Sequence, residues 1–129
     1  MPSFKHGAHT GETARSWDDI VAFYAGLAEG NAAFGPLASL SARLAGSDFV
    51  GAGLCGLTSM HDLLLGPSRK VLGNPYLLVQ WDFKTERFRL VYEDGSKAPW
   101  ERFASDGEVY SALERFFTKR ARWYRGVED

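Results

Sequence analysis

Residues 76–93, YLLVQWDFKTERFRLVYE, decide the fold. Leu77, Val79 and Trp81 alternate along the first half, Phe88, Leu90 and Tyr92 along the second, and a period of two marks half-buried strands. The intervening KTE is a connection of hairpin length, so the stretch reads as an antiparallel β-hairpin. C-terminal to it, Asp94-Gly95 is a tight-turn pair, and APWERFA at 98–104 reads as a third strand at an edge, because Pro99 cannot donate to a ladder.

N-terminal to the hairpin, DFVGAGLCGLT at 48–58 carries β-type residues among Gly51, Gly53 and Gly56 and reads as a strand with a bare face. Met60 and Leu63–Leu65 form a further short apolar run before Gly66-Pro67, also read as strand. Before these, the period changes to helical. Ser16 and Asp19 resemble a capping box opening a helix over 17–29, with Trp17, Ile20, Tyr24 and Leu27 on one stripe and Gly30 as the stop. Leu37, Leu40 and Leu44 form a second stripe between Gly35-Pro36 and Gly46. At the other end, Ser105 and Glu108 form a capping pattern before Val109, Leu113, Phe116, Phe117 and Tyr124, which predict one helix over 106–125.

Helices and strands are therefore segregated along the chain. That order predicts an α+β fold: an antiparallel sheet of about 4–5 strands, with two N-terminal helices and one C-terminal helix packed on one face. Residues 1–15 are polar and aperiodic and read as a flexible arm, leaving 16–129 as a single domain. A chain of 129 residues supports one core, and 9 Phe, 5 Tyr and 4 Trp supply it with bulky apolar area.

Composition narrows the function classes. With 15 basic and 16 acidic side chains the formal net charge is −1, which gives no global attraction to nucleic acid or anionic lipid. The single cysteine excludes an internal disulfide and a cysteine-built zinc cage. No segment approaches the roughly 20 apolar residues of a membrane span, and the N-terminus has no signal-peptide run, so a cytoplasmic location is expected.

Five constellations bear on chemistry. His61-Asp62 places an imidazole beside a carboxylate, the ingredients of proton transfer, and Cys55 lies an even number of residues before it. An antiparallel sheet with Tyr76, Trp81, Tyr92 and Trp100 near its rim offers apolar area for a ligand, with Arg89 or Arg102 to fix an anion. Arg115, Lys119, Arg120, Arg122 and Arg125, with Trp123 and Tyr124 among them, have the composition of a stacking-and-phosphate surface, though a basic helix end also complements the helix dipole. Gly51-x-Gly53-x-x-Gly56, with Asp82 after it, spells a dinucleotide fingerprint but lacks the crossover helix and parallel strand that such a site needs. His6, His9 and Glu12 in the arm lack the spacing and rigidity of a metal site, so no metal and no cofactor are expected.

No complete catalytic set emerges. The leading expectation is a non-catalytic binding or protein-interaction module, monomeric or homodimeric, with an unknown protein or small-molecule partner. Two alternatives stand beside it: a small-molecule pocket or enzyme with His61 as general acid or base, and a nucleic-acid binder at the basic helix end.

Overall fold

The computed structural model describes residues 14–72 and 75–124. Ser16 opens α1 (Trp17–Gly30) as expected, its hydroxyl accepting a hydrogen bond from the Asp19 amide at 3.1 Å. A single 3-10 turn (Ala32–Phe34) leads into α2 (Gly35–Ala45), where Pro36 sits in the first turn and Gly46 caps the end. Ile20 and Tyr24 of α1 and Leu37, Leu40 and Leu44 of α2 are the buried stripes.

The expected strand from Asp48 is corrected. Asp48–Gly51 is instead one helical turn, α3, because Phe49 is drawn into the core and the Ala52 amide bonds back to the Asp48 carbonyl at 2.9 Å. Gly53 then takes φ +115°, a conformation that favours glycine, and redirects the chain before extension begins. Strand β1 (Cys55–Ser59) follows, so of the three glycines only Gly56 lies in a strand.

Next come β2 (Asp62–Gly66), β3 (Tyr76–Asp82), β4 (Arg87–Glu93) and β5 (Glu101–Ala104). They form a five-stranded antiparallel sheet in the order β1-β2-β3-β4-β5, with Val79 opposite Leu90 and Leu90 opposite Arg102. The fold is α+β, as the segregated elements predict.

Alternation along the strands divides the sheet into two faces. Leu63, Leu65, Leu77, Val79, Phe88, Leu90 and Ala104 share the main core with residues of every helix. On the reverse face, Leu57, Leu64, Leu78 and Val91 form a smaller cluster with Val71 of the β2–β3 loop and with Ala14. Ala14 and Arg15 are tied to the sheet, their amides donating to the carbonyls of Arg69 and Gly56 at 2.7 and 2.9 Å. The end of the expected arm is thus part of the domain, while its remaining residues, His6, His9 and Glu12 among them, lie outside the described ones.

The last helix also differs from its expected form. The Glu108 carboxylate accepts from the Ser105 amide at 3.3 Å as the capping pattern implies, yet residues 106–108 are turn and α4 begins at Val109 (Val109–Arg115). From Phe116 to Arg120 the backbone widens into a π-turn, in which the Ala121 amide reaches back five residues to the Phe116 carbonyl at 2.8 Å. Arg122 at φ +59° then ends the helix, well before the expected end at 125.

Candidate functional site

The C-terminal helix lies beside the edge strand β5, and the two elements build a basic pocket of about 260 Å³. Helical spacing explains one wall. Ala112, Arg115, Phe116, Lys119 and Arg120 follow the i, i+3, i+4, i+7, i+8 pattern and so project along one side of α4 and its π-turn. Ala112 contributes little bulk and leaves room. The opposite wall comes from Trp100 and Arg102, whose even spacing places them on the same face of the last strand.

Aromatic packing makes the floor rigid. Phe116 is buried, and its ring meets Trp100 at 5.0 Å, Tyr92 at 5.0 Å and Trp123 at 5.6 Å between centroids. Arg102, Arg115, Lys119 and Arg120 are exposed at the rim, so four cations surround this floor, and among the described residues no carboxylate lines the pocket. Two acids lie nearby and feel the field. Hydrogen bonds from Ser96 hold the Asp94 carboxyl below its ordinary range, with Arg120 adding to the effect, and bonds from Ser105 do the same for Glu108, with Arg102 adding to it.

A larger cleft of about 400 Å³ opens at the tip of the β3–β4 hairpin. Its polar groups are already matched to one another. The Gln80 amide donates to Asp62 at 3.1 Å, Arg89 donates to the Gln80 carbonyl oxygen at 2.9 Å, and Arg89 also pairs with Glu101. Asp62, Asp82, Lys84 and Arg89 leave its lining balanced in charge. The lining of the smaller pocket, by contrast, carries side-chain charge of one sign among the described residues.

The residues expected from sequence are distributed among these places. Of the ligand candidates, Trp100 and Arg102 enter the basic pocket, and Tyr92 supports its floor from the core side. Trp81 and Arg89 line the hairpin-tip cleft instead, while Tyr76 packs on the reverse-face cluster, where burial pushes its phenol up. Of the nucleic-acid candidates, Arg115, Lys119 and Arg120 enter the basic pocket and Arg122 is exposed beyond it. Trp123 lies with its ring stacked on Phe117 at 5.7 Å and 19°, which occupies a face that a base would need. Arg125 lies outside the described residues.

His61, Asp62 and Cys55 do not come together. His61 is exposed in the two-residue turn between β1 and β2, its ring edge-on to Phe34 at 5.0 Å and its carbonyl accepting from the Tyr24 hydroxyl at 3.1 Å. The Asp62 side chain turns onto the sheet face toward Gln80. Cys55 donates to the Gly53 carbonyl at 3.3 Å, and burial pushes its thiol up against the smaller opposing field of Arg69, the reverse of an activated thiolate.

Phe116, read from the sequence only as part of the helix's apolar stripe, is a site residue that sequence reasoning did not assign. Its signal is the helical spacing that links it to Lys119 and Arg120. Among the described residues, no group of three or more His, Cys, Asp or Glu side chains could hold a metal ion, and no helix is long and apolar enough to cross a membrane. Compared with family models, with curated proteins and with solved structures, the chain matches none.

Proposed function

We propose that the protein is a non-catalytic binding module whose recognition site is the pocket between β5 and the C-terminal helix, and whose ligand is an organic anion. The observation that carries this reading is the convergence of Arg102, Arg115, Lys119 and Arg120 on the aromatic floor made by Trp100 and Phe116, with no acid in the lining among the described residues. Guanidinium groups favour carboxylate and phosphate oxygens through paired hydrogen bonds, and an aromatic floor favours a flat or apolar body behind the charged group. A π-turn within the site adds support, since such turns recur where a helix is shaped for binding.

The reading is tested by titrating isotope-labelled protein with phenyl phosphate and following the indole N–H of Trp100 by NMR. Saturable shifts are expected at Trp100, Arg102 and Arg115, weakening as salt is raised and lost in the R102E/R115E variant. Unsaturable shifts spread over the surface, or equal binding by the variant, would overturn it.

A further inference from the structure

The two edges of the sheet are treated differently by the fold. At β1, the Arg15 amide donates to the Gly56 carbonyl at 2.9 Å, so that edge already has a neighbour. At β5, the Tyr92 amide donates to the Trp100 carbonyl at 2.9 Å, which fixes the phase of the last ladder. Hydrogen-bonded pairs alternate in an antiparallel ladder, so Arg102 and Ala104 also turn their backbone groups toward β4. Glu101 and Phe103 therefore turn their N–H and C=O groups outward. Among the described residues, no backbone group pairs with them.

We infer that this outward edge of β5 is a strand-addition surface for an extended acidic segment of another polypeptide, in which carboxylates alternate with apolar residues. The inference rests on the anion-binding reading of the basic pocket and names its partner. An added strand would place every second side chain on the helix side, beside Arg102 and the pocket, and the others on the reverse side, beside Glu101 and Phe103. The helix side is cationic. The reverse side offers an apolar contact, for Phe103 is 40% exposed and the Arg87 guanidinium covers its ring at 5.0 Å. Glu101 adds little repulsion there, because its carboxylate is paired with Arg89.

The same charges argue against a second copy of this chain as the occupant. Pairing two β5 edges about a two-fold axis would place Arg102 and its neighbouring cations from both copies on one face, where like charges oppose the contact. An acidic strand removes that conflict.

The test uses the full chain and three probes: an alternating Glu-Val peptide, the same peptide N-methylated at the residues that would donate to β5, and phenyl phosphate. Binding is read by fluorescence anisotropy of the labelled peptides and by NMR shifts at Trp100, with amide hydrogen exchange at Glu101 and Phe103 recorded on the complex. The unmodified peptide is expected to bind, to slow exchange at those two amides about tenfold or more, and to lose affinity about tenfold or more on N-methylation and in the R102E/R115E variant. Equal binding by the methylated peptide, or binding without protection at Glu101 and Phe103, overturns strand addition and leaves anion recognition by the pocket standing. Phenyl phosphate bound in the pocket with no peptide bound has the same meaning. If neither peptide nor phenyl phosphate shifts Trp100, the anion-binding reading itself fails. Self-association through β5 in sedimentation, undisplaced by the peptide, overturns the choice of occupant.

Discussion

The two margins of the sheet solve one problem in opposite ways. An edge strand presents unpaired backbone groups, and a fold must either cover them or guard them. The β1 margin is covered. Gly56 lets α1 approach so closely that a Cβ there would lie 2.9 Å from Ile20 Cδ1 and 3.3 Å from the Trp17 ring, and the Trp17 indole N–H donates to the Leu54 carbonyl at 2.9 Å. The β5 margin is only four residues long, and its outward backbone groups are flanked by cations. One margin is closed by packing, and the other carries the charge.

The largest effect that would break this contrast lies at the covered margin. Gly56→Ala is expected to destabilise by about 1–3 kcal/mol, since Ile20 is fully buried and the added methyl group overpacks the contact. Urea unfolding measures it, and a shift below about 0.5 kcal/mol would mean that α1 is free to retreat.

A smaller effect of opposite sign is expected at Tyr124, whose ring lies 5.9 Å from that of Phe49. Its buried hydroxyl has no hydrogen-bond partner among the described residues, so Tyr124→Phe should stabilise by about 1 kcal/mol in the same assay. The variant also changes the alkaline limb. Burial, with Cys55 adding to it, pushes the Tyr124 phenol up to about 12 from its ordinary 10.0, so the folded state keeps a proton that the unfolded state gives up. The associated stability is intact below pH 10.0 and is lost as pH rises toward about 12. Removing the phenol should flatten that loss, leaving the contribution of Tyr24, which burial raises further still.

The smallest effect belongs to the open margin. Glu101→Ala removes the ion pair with Arg89, in which both side chains remain about 40% exposed, and should change stability by about 0–1 kcal/mol. A loss well above that range would show that β5 is held more firmly than its exposure implies.

Sequence revealed the elements better than their meeting places. The hairpin at 76–93 and the Ser16-capped helix were legible because each repeats one strong period over several turns or pleats. Residues 48–54 were not. Their glycines and β-type residues suit a strand, and only burial of Phe49 against Phe117, far along the chain, makes one helical turn the better outcome. The π-turn was hidden for a related reason: Phe116 and Phe117 are both buried, and a normal α-helical register has no signal for the extra residue that lets both rings pack. Half of the basic pocket was visible as a cationic helix end and half as Trp100 and Arg102. Their union depends on how α4 lies against β5, a relation set by the core and carried by no local motif.

The strictly consecutive strand order has a kinetic consequence. Each strand pairs with the strand made just before or just after it in the chain, so the sheet can zip from any hairpin without waiting for a distant partner. The β3–β4 hairpin has seven paired positions, more than any other neighbouring pair of strands, across a four-residue connection, so it gains the most contact for a small loop-closure cost. It is the expected nucleus. Ala substitutions at Val79 or Leu90 should then slow folding, whereas Gly56→Ala, at a margin outside that hairpin, should chiefly accelerate unfolding.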